Sequence, residues 1–369
     1  MTVSTSSIGS TLRAERDRPP VVADRAEALF AAATSAAPPR VCVVAEIGVN
    51  HDGQVTRAVD LADAAADAGA DAVKLQCFDP RHLLSNQAAL ADYQKQDESD
   101  VFEMLDRLKL GADDLLQVRA AAQRRGLRFI VTPFSLENVE TLASLNVDAV
   151  KIASPDAVNL PLLRRVTTLN RPLIISTGTA TLDELVPAAR IIAAHPSGGC
   201  FLQCVSSYPT PTADTALGGM VAIARNFDLP VGYSDHTNEP ATGALAVAAG
   251  ACVIEKHLTY DRTATGPDHA ASFDAAQLAE YIRAIRQAAQ MHGPADKLVG
   301  RTEVELRGLC RQSLCARRDL PAGRVLSEAD LTVKRPGTGI PAAQFQHVVG
   351  RRLGRDVKGN DLLTLDDVA

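Results

Sequence analysis

From Val41 onward the chain repeats one pattern: a short apolar run, a turn, then a stretch with apolar residues at helical spacing. The apolar runs are 41–46, 71–76, 128–132, 148–153, 172–176, 200–205, 230–234 and 251–256. Such nearly continuous runs are the mark of strands buried on both faces, as in a parallel sheet covered by helices. Eight of them, each followed by a helical stretch, predict a (β/α)8 TIM barrel over residues 40–292. Helices are predicted at 57–68, with Ala58, Leu61, Ala62 and Ala65 on one face, and at 275–291, with Leu278, Ile282 and Ile285. The long segment 79–110 predicts an extra helix near Val101–Leu110. A doubly wound sheet is the alternative, but no glycine-rich phosphate fingerprint opens the first unit.

The pattern stops at both ends. Residues 1–39 are rich in Ser, Thr, Ala, Pro and Arg and read as a flexible leader with one short helix. Its apolar stretch 28–37 lies behind Asp24 and Glu27, a poor signal-peptide context, so a cytoplasmic protein is expected. Residues 293–307 read as a linker and helix. Residues 308–369 are short pieces punctuated by turns, predicting a small β-rich module that is marginal alone and docks on something.

Composition narrows the function. The 369 residues carry 38 Lys+Arg against 44 Asp+Glu, a net charge of −6 without a basic block, which argues against nucleic acid as partner. No apolar run reaches the length of a membrane span. The seven cysteines, an odd number set mostly in apolar runs, read as buried thiols of a reducing compartment.

In a TIM barrel chemistry gathers at the C-terminal strand ends. Those ends deliver Glu46 and Asn50; Lys74 and Gln76; Thr132; Lys151, Ser154 and Asp156; Ser176; Gln203, Ser206 and Tyr208; Ser234 and His236; and Glu255 and His257. Side chains two apart share a strand face, so Lys74 pairs with Gln76, Ser234 with His236, and Glu255 with His257. If these point inward, Val73, Leu75, Cys252 and Ile254 pack outward. A lysine inside an aliphatic strand is costly to bury. Two of them, Lys74 and Lys151, with hydroxyls at Thr132, Ser154, Ser176 and Ser234, form a cradle for a small phosphorylated acid. A Schiff-base role for Lys151 is the rival reading. His236 and His257, from adjacent strand ends, are candidate ligands of a divalent metal. Glu46 is a candidate general base. Asp268, in Gly266-Pro267-Asp268-His269, either lines the same mouth or sits in a turn.

The motifs AEIGVNHDG (45–53), DAVKLQ (71–76), VTPFS (131–135), VKIAS (150–154), IISTG (174–178), QCVSSYPTP (203–211), LGGM (217–220), VGYSDHT (231–237), VIEKH (253–257), GPDHAAS (266–272) and VKRPGTGI (333–340) follow one another in order. Together they resemble the sialic acid synthase family, which condenses phosphoenolpyruvate with an N-acylated aminosugar. The resemblance implies a barrel followed by an antifreeze-like SAF domain at 308–369, and a domain-swapped homodimer. It implies Mn2+ or Mg2+ on His236 and His257, and Glu46 as catalytic base. Phosphoenolpyruvate would be held by Lys74, Thr132, Lys151, Ser154, Ser176 and Ser234, and the sugar's N-acyl group by Arg335 across the dimer. Two departures bear on the sugar. Ser154-Pro155-Asp156 stands where many members have Ser-Gly-Glu or Ser-Gly-Asp, and Ser206 where an asparagine is usual. The resemblance implies N-acetylmannosamine or a related acceptor, with a 6-deoxy diacetamido sugar of the legionaminate or pseudaminate type as the alternative.

Overall fold

The structure, a computed structural model, describes residues 29–30, 38–85 and 100–369. Most of the expected leader lies outside the described residues. The chain divides into two compact units between Asp296 and Lys297.

In the first unit eight parallel strands close into a barrel in sequence order. They are β1 (Cys42–Gly48), β2 (Ala72–Cys77), β3 (Arg128–Pro133), β4 (Ala149–Ile152), β5 (Leu173–Ser176), β6 (Gly199–Cys204), β7 (Val231–Asp235) and β8 (Val253–His257). Each strand is covered because its outward side chains meet a helix. Val73, Leu75 and Ile254 join the outer core with Ala58, Leu61, Leu278 and Ile285 of the helices Val55–Asp67 and Ala275–His292. The latter helix opens on a capping box, Asp274 accepting from Gln277 N–H at 2.9 Å, which satisfies backbone donors the helix cannot satisfy itself. The extra helix forms at Val101–Leu108, its N-terminus capped by the Asp100 carboxylate. Among the described residues no helix is long and apolar enough to cross a membrane.

Inward side chains fall into two layers. The lower one is apolar: Cys42, Val44, Ala72, Ile130, Ala149, Ile174, Cys200, Leu202 and Val253, with Leu29 and Phe30 packed among them. Cys252 was expected to face outward and instead belongs to this inner layer. It precedes the first residue of β8, so the strict alternation of the strand does not reach it. Asp235, next to the inward Ser234 on β7, faces outward and accepts from Tyr281 Oη at 2.7 Å. Gln203, read above as a mouth residue, faces outward instead: its amide packs against Gly219 of the helix Gly218–Phe227, where an added Cβ would lie 2.7 Å away. Inward positions of β6 are therefore Cys200, Leu202 and Cys204. Six cysteines are buried as free thiols and Cys310 is exposed, contrary to the uniform reading.

The second unit, 297–369, holds the helix Glu303–Cys310 and a two-stranded antiparallel sheet, β9 (Ser313–Ala316) with β10 (Leu331–Lys334). Its core gathers Leu314, Leu320, Leu331, Ile340, Leu353 and Leu363 from well-spaced positions. The buried Asp330 accepts from Ser327 and pairs with Arg318 and Arg324. A single polar hub of this kind pins turns that have no regular partner.

Candidate active site

One residue pair above the apolar layer, the inward positions turn polar. Parallel register sets Glu46 level with both Lys74 and His257, and Ser234 level with Glu255. The Lys74 ammonium lies 2.8 Å from Glu46 Oε1 and 3.8 Å from Glu255 Oε2. It also donates to Thr132 Oγ1 at 3.3 Å. Lys151 lies 3.7 Å from Glu255 Oε1 and donates to Ser176 Oγ at 2.6 Å. Ser234 Oγ donates to Glu255 Oε1 at 2.7 Å. All four charged groups are buried. Burial of unpaired charge would be prohibitive, and alternation of sign is what allows it.

The two carboxylates are driven apart. Burial pushes Glu46 up to about 7 against the pull of Lys74. Burial acts on Glu255 in the same sense, but Lys151, Lys74 and the Ser234 hydroxyl outweigh it and hold that carboxyl at about 2. Divergent environments for paired carboxyls separate an acid–base group from a permanent anion. Burial also lowers Lys151, while Lys74 stays raised because Glu255 and Glu46 more than offset its desolvation. Glu46 Oε2 is buried with no hydrogen-bond partner.

These groups form the floor of a cavity of about 340 Å³. Its lining includes, from the expected set, Glu46, Lys74, Gln76, Lys151, Ser154, Ser176, Ser206, Tyr208, Ser234, His236, Glu255, His257 and Asp268. Gln76 donates to Glu46 Oε1 at 3.4 Å. Gly178 N–H donates to Ser154 Oγ at 3.0 Å. A Cβ at Gly178 would stand 2.3 Å from Ser206 Oγ, so only glycine lets the two hydroxyls approach this backbone.

The two imidazoles sit side by side, ring centroids 5.4 Å apart, with Tyr208 stacked on His236 at 4.0 Å. His236 Nδ1 is engaged by the Val205 carbonyl at 2.8 Å, while Nε2 has only a long contact, 3.5 Å, with Ser234 Oγ. His257 Nδ1 is buried without a hydrogen-bond partner, 3.5 Å from Asp268 Oδ2. Burial pulls the His257 pKa well below its ordinary value. Among the described residues no group of three or more His, Cys, Asp or Glu is arranged to hold a metal.

Other expected residues lie elsewhere. Asn50 is buried behind the lining, its amide donating to Leu258 O at 2.9 Å and Ser272 Oγ at 2.8 Å. Thr132, level with Gln76 on the neighbouring strand, does not line the cavity but accepts from Lys74 at 3.3 Å. Asp156, in the 3-10 turn Ser154–Val158, accepts from Asn159 at 2.8 Å. Arg335 is exposed in the second unit, just after β10. Two sets of lining residues escaped sequence reading. Cys204, taken as a plain core thiol, lines the cavity with Sγ 3.7 Å from His236 Nδ1; correct parity along β6 would have found it. Val49, Leu83, Met104, Leu105, Leu108 and Phe134 make an apolar wall. Nothing in their local pattern distinguishes them from core.

The chain matches known proteins along most of its length. Residues 61–297 match the NeuB family and residues 311–369 the SAF domain. It is 37% identical over 334 residues to the N,N'-diacetyllegionaminic acid synthase of Legionella pneumophila, covering 88% of this chain and 94% of that one. It is 31% identical over 332 residues to the pseudaminic acid synthase of Campylobacter jejuni, covering 89% and 96%. Among solved structures, the N-acetylneuraminic acid (sialic acid) synthetase of Leptospira borgpetersenii, crystallised with citrate, aligns with a TM-score of 0.66 at 31% identity, over 72% of this chain and 90% of that one. With its closed barrel and C-terminal SAF domain, the chain belongs to the NeuB family, the sialic acid synthase type of phosphoenolpyruvate-condensing transferase.

Proposed function

We propose that this enzyme condenses phosphoenolpyruvate with an unphosphorylated N-acylated aminosugar, N-acetylmannosamine or a close relative, giving a nonulosonic acid and phosphate. The observation that carries the reading is the floor of alternating charges, Glu46–Lys74–Glu255–Lys151, lying with two imidazoles in one cavity. Lys74 and Lys151, with Ser154, Ser176 and Ser234, bind the phosphoenolpyruvate anion and stabilise the charge that leaves with phosphate. The C2=C3 π pair of phosphoenolpyruvate bonds C3 to the aldehyde carbon of the open-chain sugar, whose oxygen takes the carbonyl π pair and a proton, leaving C2 cationic. Water then adds at C2, its proton passing to Glu46, and the C2–O bond to phosphate breaks. Glu46 suits that step because one of its oxygens has no partner in the resting site.

His236 and His257 fit a divalent cation, Mn2+ or Mg2+: each keeps a ring nitrogen free of any strong hydrogen bond, at Nε2 and Nδ1 respectively. Such an ion, when bound, supplies Lewis-acid polarisation of the aldehyde. Arg335 of a second copy, in a homodimer, would meet the N-acyl group. The use of phosphoenolpyruvate fits a cytoplasmic enzyme.

Other barrel synthases of this chemistry take phosphorylated acceptors, which need a further basic site. Among the described lining residues the only Lys or Arg are Lys74 and Lys151, both already paired with Glu255. The apolar wall around Met104 and Phe134 favours a second reading, a 6-deoxy diacetamido acceptor, whose methyl group needs no hydrogen bond. A phosphate-release assay with phosphoenolpyruvate, Mn2+ and a panel of acceptors decides between them. Faster turnover with one of the two N-acylated sugars makes that choice, and none is expected with N-acetylmannosamine 6-phosphate; turnover only with a tetrose or pentose phosphate would overturn the proposal. The His236→Ala and His257→Ala variants should each weaken Mn2+ binding at least tenfold by titration.

A further inference from the structure

Two motif segments, Asn50–Gly53 and Gly266–His269, are far apart in sequence but meet because β1 and β8 close the barrel. Asp52 takes a left-handed backbone conformation, φ 52°. Its carboxylate accepts from Tyr260 Oη at 2.8 Å, faces His269 Nε2 at 3.0 Å, and pairs with Arg57. The Arg57 guanidinium lies over the Tyr260 ring, 4.3 Å from its centroid. His269 is 1% exposed, and its other ring nitrogen meets Thr259 Oγ1 at 2.7 Å. Gly266 backs onto the same ring, where a Cβ would lie 2.8 Å from Cδ2. His269 is thus held from every side, yet it does not line the cavity.

Its neighbour Asp268 does. The Asp268 carbonyl accepts from Ser272 Oγ at 2.6 Å, and Ser272 Oγ in turn accepts from Asn50 Nδ2 at 2.8 Å. The loop after β8 is therefore tied twice to the loop after β1, once through Asn50 and once through Asp52. The first tie ends on the Asp268 carbonyl and the second on the residue directly following it, so the backbone that carries the Asp268 carboxylate is held on both sides. That carboxylate ends 3.5 Å from His257 Nδ1.

We propose that Asp52 and His269 are positioning residues of the active site: their contact pins the loop after β8 and holds the Asp268 carboxylate against His257. The inference rests on the proposed function, in which the cavity lined by His257 and Asp268 is the active site. A buried carboxylate–imidazole contact adds little net stability, whereas displacement of a catalytic-site group by about 1 Å can lower a rate about 100-fold.

The test compares full-length His269→Ala, Asp52→Asn, Asp268→Asn and the double variant His269→Ala/Asp268→Asn. With phosphoenolpyruvate, Mn2+ and the preferred acceptor, kcat should fall about 10- to 100-fold in His269→Ala and in Asp52→Asn, with KM for phosphoenolpyruvate unchanged. The double variant should be no slower than the worse single one, because His269 acts through Asp268. Multiplicative losses in the double variant, or a parallel rise in KM for phosphoenolpyruvate, would refute a positioning role. Asp52→Asn keeps the volume of the side chain and serves where His269→Ala does not fold. Crystal structures of the variants decide the geometry apart from turnover. An Asp268 carboxylate swung away from His257 supports the inference, and one still beside His257 overturns it. Absence of phosphate release by the unaltered enzyme would refute the proposed function, while those structures would still judge the strut.

Discussion

The inside of this barrel carries two layers built by the same strands two residues apart, and they obey opposite rules. Val44, Ala72, Ile130, Ala149, Ile174, Leu202 and Val253 form a dry plug. Directly above them stand Glu46, Lys74, Thr132, Lys151, Ser176, Cys204 and Glu255, nearly all of them lining the cavity or paired within it. The lower layer needs only volume and apolarity. The upper layer needs each group in register with a partner of opposite charge, since desolvated charge is tolerated only when paired. Stability and chemistry are thereby separated along each strand by about 7 Å, two residues of strand rise.

Substitutions in the two layers should therefore fail differently. The largest effect is expected for Lys74→Ala, which strips the shared counter-charge from Glu46 and Glu255. Urea unfolding at pH 8 should show a loss of about 3–5 kcal/mol, along with loss of activity. Part of that loss should return at pH 6, as Glu46 takes up a proton. An undiminished stability at pH 8 would mean that the charged layer is not electrostatically closed.

Glu46→Gln should lower kcat about 1,000-fold while leaving the plug intact. In the unaltered enzyme kcat/KM should rise with pH through about 7, as the raised Glu46 carboxyl ionises, and the glutamine variant should lack that limb. The sign for stability is opposite. A carboxyl raised on folding holds its proton in the native state after the unfolded chain has lost it, so stability falls as pH climbs from the ordinary carboxylate range to about 7. The variant should remove that slope as well. Glu255, held at about 2, contributes stability that is present at neutral pH and lost as pH falls through that value.

Leu202→Ala probes the other layer. It should cost about 3 kcal/mol in urea unfolding through the cavity it leaves, with both KM values and kcat unchanged in the folded enzyme. A changed kcat would show that the plug transmits strain to the floor. The smallest effect is expected outside the barrel: Arg335→Ala should raise KM for the sugar about tenfold, a loss of one charged hydrogen bond, and leave KM for phosphoenolpyruvate alone. Equal rises in both would remove Arg335 from sugar recognition.

Much of the lower layer could be read directly. A β-strand buried on both faces is locally apolar, so its residues announce themselves without knowledge of their neighbours. The upper layer was readable where a costly residue interrupted such a run, as Lys74 and Lys151 do. Parity then carried the reading to Gln76, His236 and His257. Gln203 was misread although it alternates regularly with the inward Leu202, and parity failed at Cys252, just before β8, where strict alternation no longer holds. The apolar wall of Met104, Leu108 and Phe134 gave no signal, because an apolar residue lining a cavity and one filling a core have the same local pattern. Asn50 was visible as a strand-end residue, but whether it met substrate or Ser272 was not.

Sequence by itself determined the eight-fold repeat, the change of style before the small C-terminal unit, and the stock of lysines, carboxylates, hydroxyls and imidazoles available at the strand ends. Those properties are local: periodicity, propensity and the cost of burying charge act within a few residues. Only the tertiary structure decided which members of that stock meet. Barrel closure brings β1 beside β8, so Glu46 stands level with His257 and Asp52 reaches His269. Register sets which carboxylate shares which lysine, and through that the separation of Glu46 from Glu255. Such pairings depend on distances between strands remote in sequence, and electrostatic energy in a desolvated site changes steeply with those distances.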